Sequence, residues 1–288
     1  MAQDYNKKFP IHTATACSSK WAWSTVWLNR GETSSCHRVN SVPLDPNNID
    51  NFHNLPKKIE DRKLMLEGKW PTGGCEYCQK IELAGGHSDR QHNNEIGGYV
   101  PPELDLNPTE VYVSPKIVEF FAYNTCNLAC IYCGEDLSSR IAEENRKFGY
   151  SNGVLQIPLL DDEKIQQYYT QFIKWLEQNI KTLSRLHLLG GETFIQHDLI
   201  NSVLDIIERN PNPDLQLNIF SNFNAPEKYW DEYIGRIKSH CLAGNLGRFD
   251  LTCSVDCWGP EQEYVRSGLN LTRLEKYLAW ASEQSEEW

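Results

Sequence analysis

The chain has 288 residues, a net charge of −11 and no basic run, which argues against a large nucleic-acid interface, because such interfaces need clustered Lys and Arg. Hydrophobic residues make up 40% of the chain, as in soluble globular proteins, and no apolar run approaches the roughly 18 residues of a membrane span. The N-terminus lacks a signal-peptide core, so we expect a cytoplasmic protein whose ten cysteines are metal ligands rather than disulfides.

Four cysteines lie within residues 1–95 and form a predicted metal-binding module: Cys17, Cys36, Cys75 and Cys78. An aromatic-rich run at 21–28 alternates as a strand does, and a helix is predicted over 57–68. Four thiols in one module can fully ligate a [4Fe–4S] cluster or a single zinc ion, so both alternatives stay open.

The segment 84–115 is rich in Gly, Pro, Asn and Asp and is predicted to be a linker, placed at 96–115 between two domains. His37, His87 and His92 are ambiguous, because a lone histidine in a loop is more often solvated than a ligand.

A predicted strand at 116–123 runs directly into three cysteines with C-x3-C-x2-C spacing: Cys126, Cys130 and Cys133. A loop with this spacing can wrap three thiolates around one corner of a small inorganic cluster. A four-iron cluster that only carries electrons takes four cysteines, so three leave one iron open. An open metal position is a place for chemistry, as in catalytic zinc sites.

From residue 116 onwards, strands and helices alternate, which predicts an α/β fold with a parallel sheet. The strands are predicted at 116–123, 184–189, 215–221 and 248–256, and the main helices at 161–182, 197–209, 226–241 and 271–282. Alternate residues of the last two strands are polar, whereas a parallel sheet covered on both faces is apolar on both. The pattern therefore predicts a partial βα barrel whose sheet lines a cavity.

The cysteine spacing, with aromatic Tyr132 before the last cysteine, resembles the signature of the radical S-adenosylmethionine (radical SAM) enzymes. In that family SAM chelates the open iron of a [4Fe–4S] cluster, and one electron cleaves it to methionine and a 5′-deoxyadenosyl radical. The radical then abstracts a hydrogen atom from a substrate. The resemblance implies SAM as cofactor and a reductant such as a flavodoxin or ferredoxin as partner.

Gly190-Gly191-Glu192 follows the second predicted strand and resembles the GGE motif of this family, which holds the amino group of SAM. By the same resemblance, Asn222 takes the place of ribose-contacting residues and Tyr132 packs by the adenine.

Ser254-Val-Asp256, followed by Arg266, resembles the S-x-D-G…R segment of the SPASM and twitch relatives, in which the serine and arginine contact the SAM carboxylate. Cys257 stands where glycine is usual, and it is a candidate substrate contact or hydrogen-atom donor. Cys253 is predicted to be a small core residue.

The cysteines of the N-terminal module, with Gly31 five residues before Cys36, resemble the twitch module, which carries an auxiliary [4Fe–4S] cluster. In most relatives this module follows the catalytic domain, whereas here it precedes it. A structural zinc ribbon on the same four cysteines is the alternative.

We therefore expect a module at 1–95, a linker at 96–115 and a radical SAM core at 116–288. The core has four predicted strands where the family usually has six, so it is a short form, lacks residues or is closed by a partner. The predicted activity is hydrogen-atom abstraction from a peptide or small molecule. The rival is a non-catalytic electron-transfer or zinc-binding protein, which has no reason to keep the GGE segment.

Overall fold

The computed structural model describes residues 13–95, 110–149 and 159–284. The helices of these residues are α1 (Ser18–Ala22), α2 (Pro56–Leu66), α3 (Glu76–Leu83), α4 (Asp89–Glu95), α5 (Ser139–Phe148), α6 (Asp162–Asn179), α7 (His197–Arg209), α8 (Glu227–Leu242), α9 (Pro260–Val265) and α10 (Leu271–Gln284). Their strands are β1 (Trp23–Trp27), β2 (Glu32–Ser34), β3 (Val42–Pro43), β4 (Ile117–Phe121), β5 (Ala129–Cys130), β6 (Arg185–Leu189), β7 (Asn212–Ser221), β8 (Leu246–Cys253) and β9 (Arg266–Ser267).

The fold is mixed α/β, with a largely parallel seven-strand sheet in the order β3-β2-β1-β4-β6-β7-β8. Strands β6, β7 and β8 are parallel neighbours, and Leu188 pairs with Ile219, which in turn pairs with Leu251. The predicted α/β class is confirmed, and β4, β6, β7 and β8 lie where the four strands of the core are predicted. No helix in the described part of the chain is both long and apolar enough to cross a membrane.

The chain divides into two compact units. Residues 1–26 and 32–119 form the first unit, whereas residues 27–31 and 120–288 form the second. Most of the predicted linker lies outside the described residues, because positions 96–109 are not among them.

Helix α1 differs from the prediction, which places a strand over 21–28. The helix covers Ser18–Ala22, and the strand begins only at Trp23. Trp21 and Ala22 are fully buried in one cluster with Met65, and this burial overrides the strand-like alternation of the tryptophans.

Helix α4 is a second difference, since the prediction treats 84–115 as a linker. Arg90 anchors this helix inside the first unit. Its Nε and Nη2 atoms donate to the two carboxylate oxygens of Glu82 at 2.9 and 2.6 Å, and Nη1 donates to the carbonyl oxygen of Ala16 at 2.8 Å. Such a bidentate pair fixes position as well as charge, so this segment is structured.

Helix α6 covers the apolar side of the second unit's strands. Asp161 caps it by accepting a hydrogen bond from the backbone N–H of Lys164 at 2.9 Å. Phe172 of this helix stacks on Phe120 of β4, with ring centroids 3.7 Å apart. The predicted helix over 161–182 is therefore present, with its last turn formed as a 3-10 helix over Ile180–Thr182.

Candidate active site

The loop that carries Cys126, Cys130 and Cys133 is held in place by backbone hydrogen bonds. The N–H of Cys126 donates to Ser139 Oγ at 3.1 Å, and the N–H of Cys133 donates to the carbonyl oxygen of Cys130 at 3.0 Å. Cys130 lies in β5, which pairs antiparallel with β9 and places Cys130 opposite Arg266. The three cysteines are thus fixed within one short loop at the end of β4.

The three thiols lie near enough to repel one another as thiolates. Burial, helped by the charges of Glu192, Cys130 and Cys133, raises the pKa of Cys126 to about 12. Burial likewise raises the pKa of Cys133 to about 11. Two donors face the sulfurs: the N–H of Leu128 lies 3.5 Å from Cys126 Sγ, and Arg266 Nη1 lies 3.9 Å from Cys130 Sγ.

In the described residues, no group of three or more His, Cys, Asp or Glu side chains has the arrangement needed to hold a metal ion. The metal assignments of the cysteines therefore stay predictions, and they rest on the chemistry of the thiols and on their nearness.

Arg266 joins the cysteine loop to the segment after β8. Its Nε donates to Asp256 Oδ2 at 2.7 Å, and the hydroxyl of Tyr132 donates to the same oxygen at 2.8 Å. The guanidinium carbon lies 5.6 Å from the centre of the Tyr132 ring. Arginine has five N–H donors, and Nε and Nη1 account for two of them in these contacts. The structure therefore brings together three residues that the prediction assigns to SAM.

Glu192 is fully buried, and protein groups surround its carboxylate. Oε1 accepts hydrogen bonds from the N–H of Phe194 at 3.1 Å and from Ser221 Oγ at 2.9 Å, while Oε2 accepts one from the N–H of Asn222 at 2.7 Å. Burial raises the pKa of Glu192 to about 7. A carboxylate has about four acceptor positions, so these bonds leave about one for an ammonium group.

The two glycines of the GGE segment approach the cysteine loop closely. Gly191 has a φ of 56°, and a Cβ atom there would lie 2.1 Å from the carbonyl oxygen of Thr125. The N–H of Glu192 donates to that same oxygen at 2.8 Å. Only glycine fits this contact. It holds the GGE turn against Thr125, the residue that precedes Cys126 in the chain.

Asn222 bridges the end of β7 to the cysteine loop. Its Nδ2 donates to Asn127 Oδ1 at 3.0 Å, so the amide predicted to contact a ribose already has a protein partner. Ser254 lies beside it, since its N–H donates to the carbonyl oxygen of Ser221 at 2.9 Å. Strand β8 ends at Cys253, so the strand predicted over 248–256 is about three residues too long.

The polar face predicted for the last two strands is present. Thr252 Oγ1 donates to Asn218 Oδ1 at 3.1 Å, and Gln216 is hydrogen-bonded to Asp250. Arg248 Nε also donates to Asp250, at 2.7 Å. These side chains form a hydrogen-bonded row along β7 and β8.

Two further cysteines differ in their surroundings. Cys253 is half-buried, so it is not the small core residue of the prediction. Burial raises its pKa to about 12, the charge of Arg266 lowers it and that of Glu192 raises it, which places Cys253 near both residues. Cys257 is half-buried, and its thiol lies 3.7 Å from Gln262 Oε1, which also accepts from the N–H of Cys257 at 3.0 Å.

The four cysteines of the first unit also lie within electrostatic range of one another: Cys17, Cys36, Cys75 and Cys78. Burial, helped by the charges of Cys17 and Cys78, raises the pKa of Cys36 to about 11. Gly74 permits this approach, because a Cβ atom there would lie 2.2 Å from the carbonyl oxygen of Arg38. The four thiols are therefore near one another, and their binding of a [4Fe–4S] cluster or a zinc ion stays a prediction.

The three ambiguous histidines make contacts to carboxylates or rings. His37 Nε2 lies 2.5 Å from Glu119 Oε2, and this hydrogen bond raises its pKa. His87 Nε2 lies 2.8 Å from Glu95 Oε2, and its ring contacts the ring of His92 edge-on.

Several residues around the cysteines escape prediction from the sequence, chiefly Ser139, Ser221 and Asn127. Each holds one loop to another through a hydrogen bond across a long sequence separation. The sequence does indicate where the cysteine loop ends, because Ser138 is a typical N-cap residue. Its side chain caps α5 by accepting a hydrogen bond from the N–H of Ile141 at 3.3 Å.

Comparison of the chain with protein-family models, with curated proteins and with solved structures gave no match. A functional assignment therefore rests on the motifs and on the arrangement of these side chains.

Proposed function

We propose that this chain is a radical SAM enzyme in which Cys126, Cys130 and Cys133 bind a [4Fe–4S] cluster and leave one iron for S-adenosylmethionine. When bound, the cluster and SAM supply a 5′-deoxyadenosyl radical, which abstracts a hydrogen atom from a peptide or small-molecule substrate. One observation carries the proposal. The cysteine loop contacts both the Gly191 turn and Arg266, although 136 residues separate Cys130 from Arg266.

The chemistry of the donors supports such a cluster. Three thiols come from one loop, and the N–H of Leu128 and the guanidinium of Arg266 lie near two of the sulfurs. Hydrogen bonds to sulfur and nearby charge are the means by which a protein sets the potential of an iron–sulfur cluster. Arg266 serves a second purpose, since its planar fork suits the carboxylate of SAM. Asp256 orients it through Nε.

Glu192 acts mainly as a positioning residue in this proposal. Its three hydrogen bonds tie the GGE turn to the end of β7 and hold the backbone of Gly191 against the cysteine loop. The remaining acceptor position is available to the ammonium group of SAM. This role differs from the predicted one, in which the carboxylate is chiefly a ligand of SAM.

The row of polar side chains on β7 and β8 supports an interior cavity of a partial βα barrel, in which Asn218 and Thr252 present polar atoms to a substrate. Ser254, Asn222 and Tyr132 complete the SAM contacts that the family resemblance implies. The substrate stays at the level of a peptide or small molecule.

In the N-terminal module, a second [4Fe–4S] cluster binds to the four cysteines of the first unit: Cys17, Cys36, Cys75 and Cys78. Four protein ligands close such a cluster, so it relays electrons or positions substrate rather than binding SAM. A flavodoxin or ferredoxin is the proposed reductant in a cytoplasmic setting.

Electron paramagnetic resonance of the anaerobically reconstituted and reduced protein tests the proposal. Added SAM is expected to change the signal of the three-cysteine cluster, because it binds the open iron. The Cys126→Ala variant is expected to lose this response and to keep the signal of the second cluster. A wild-type signal that is indifferent to SAM contradicts the proposal, and a protein that takes up zinc but no iron favours the non-catalytic alternative.

A further inference from the structure

A cavity of about 150 Å³ in the first unit is lined by three lysines: Lys20, Lys57 and Lys58. Of the residues that line it, one is acidic, Asp61. Lys20 and Lys57 against Asp61 leave an excess of one positive charge. Lys58 adds a second when it is protonated, and its burial lowers its pKa well below 10.5. This excess lies in a chain whose net charge is −11, so the cavity is a local exception to the overall charge.

The acidic residue is shared between two of the lysines. Lys20 Nζ lies 2.6 Å from Asp61 Oδ2, and Lys57 Nζ lies 2.8 Å from Asp61 Oδ1. One carboxylate between two ammonium groups balances one of them. The pair therefore attracts a further negative charge.

The third lysine, Lys58, is buried and donates to neutral oxygens. Its Nζ donates to Ser24 Oγ at 3.0 Å, to Thr33 Oγ1 at 2.9 Å and to the carbonyl oxygen of Ser34 at 3.1 Å. A buried ammonium that has only neutral acceptors is costly, and a counter-charge in the adjoining cavity offsets that cost.

Two hydroxyl groups add to the donor set. Ser34 and Ser35 line the cavity, and their Oγ atoms are buried without a hydrogen-bond partner among the described residues. Buried hydroxyls without a partner are rare, and each one points to a bound water or ligand. The rim is open, because Asn40 and Thr72 are exposed. A ligand that enters from solvent therefore reaches a floor of hydroxyls and ammonium groups.

We propose that this cavity binds phosphate, either as the free anion or as a monoester group on a larger molecule. Phosphate carries about −1.5 to −2 near neutral pH and has several strong acceptor oxygens, which match the excess charge and the hydroxyl donors. The volume also fits, since a cavity of about 150 Å³ is known to hold benzene, and phosphate is no larger.

Balancing the nearby thiolates is a rival role for the lysines. Burial raises the pKa of Cys17, Cys36 and Cys75, and the charge of Lys20 offsets part of that rise, so part of its effect falls on those sulfurs. A role in balancing thiolates does not explain why the hydroxyls of Ser34 and Ser35 are buried without hydrogen-bond partners among the described residues. The phosphate site does not depend on the iron–sulfur proposal, because it is assembled without the cysteine side chains.

Calorimetric titration of the full-length protein at constant ionic strength tests the site, with inorganic phosphate and methyl phosphate as probes. Saturable binding of about one phosphate per chain is expected. Lys57→Gln is expected to weaken it about tenfold, as for one charge-assisted bond, and Lys57→Arg to retain it. Ser35→Ala is expected to weaken phosphate binding as well. Because the Ser35 hydroxyl has no hydrogen-bond partner among the described residues, its removal breaks no hydrogen bond of the fold.

Lys181→Gln is the matched control, because it removes the same charge at an exposed position of the second unit. Tighter binding of methyl phosphate identifies a group on a larger ligand, whereas tighter binding of inorganic phosphate identifies the free anion, and both results support the site. The proposal is overturned if phosphate shows no saturable binding. That is the result expected if the lysines serve only to balance the nearby thiolates. Equal affinity of Lys57→Gln and Lys181→Gln for phosphate also overturns it.

Discussion

Cys130 and Arg266 lie opposite each other in the antiparallel β5–β9 pair, and Nη1 of Arg266 is 3.9 Å from Cys130 Sγ. Each strand has two residues, and their pairing places the guanidinium of Arg266 at the cysteine loop. Asp256 fixes its orientation through Nε at 2.7 Å. A positive charge is thus held beside the Cys130 thiol. In the proposed function this charge would stabilise a cluster-ligating thiolate and the carboxylate of SAM.

Replacing Arg266 by Gln is expected to weaken SAM binding roughly 10- to 100-fold, because a charge-assisted hydrogen bond is lost. The iron content is expected to stay unchanged, since the three cysteines remain. Equilibrium dialysis of SAM with the reconstituted protein measures both affinity and stoichiometry. Arg209→Gln is the control, as Arg209 forms an exposed ion pair with Glu177, and such pairs contribute little. Unaltered SAM affinity in Arg266→Gln excludes the proposed contact.

Replacing Cys126, Cys130 and Cys133 together by Ala is expected to remove about four of about eight irons, because one of two four-iron clusters loses its ligands. Iron and sulfide analysis after anaerobic reconstitution gives the count. Cys241→Ala is the control, as Cys241 is half-buried in α8 and has no role in either proposed cluster. An iron count equal to that of the wild type contradicts the assignment of the site.

Replacing Glu192 by Ala is expected to lower the free energy of unfolding by about 3 kcal/mol or more, because three buried donors lose their acceptor. The donors are the N–H groups of Phe194 and Asn222 and the hydroxyl of Ser221. Urea unfolding of the protein without clusters measures the effect apart from ligand binding. Glu208→Ala, at an exposed position of α7, is expected to change little. A stable Glu192→Ala variant with weakened SAM binding would instead make Glu192 chiefly a ligand of SAM.

Acid is expected to destabilise the first unit through His53. Burial, helped by the charges of Arg62 and Lys58, lowers the pKa of His53 well below 6.5. Its ring is held between Ser24 Oγ at 2.7 Å and the carbonyl oxygen of Trp21 at 2.9 Å. Below about pH 6.5 the unfolded chain binds a proton that the folded chain does not. The contribution of His53 to the free energy of unfolding is therefore full above about pH 6.5. It is lost as the pH falls below that value, by up to about 1.4 kcal/mol per pH unit.

Urea unfolding of the wild type and of His53→Gln between pH 5 and pH 8, about 1.5 units on either side of the ordinary histidine pKa, isolates this group. The difference in unfolding free energy between the two proteins is expected to shrink as the pH falls below that value. A difference that is constant over the whole range shows that His53 does not govern the acid response.

Local periodicity predicts much of the second unit. The helical spacing of apolar residues in α6 and the alternation of polar residues along β8 follow from the 3.6-residue and 2-residue repeats of helix and strand. The polar row that includes Asn218 and Thr252 is therefore foreseeable, and so is its position after the cysteine loop.

Long-range pairing is not encoded in such repeats. The β5–β9 pair has two residues in each strand, too few to show a pattern, and Tyr132 meets Asp256 across 124 residues of sequence. The three protein donors to Glu192 likewise depend on how β7 ends, which the GGE segment alone does not reveal. At Trp21 the local pattern is present but misleading. The spacing of the tryptophans predicts a strand, whereas Trp21 is buried in helix α1.

Formation of 5′-deoxyadenosine from SAM by the anaerobically reconstituted and reduced protein tests whether the chain carries out radical SAM chemistry. The wild type is expected to form it, and the Cys126→Ala variant to form none, because the cluster that reduces SAM loses one of its three ligands. A wild-type protein that holds both clusters and binds SAM, yet forms no more 5′-deoxyadenosine than Cys126→Ala, would contradict the account.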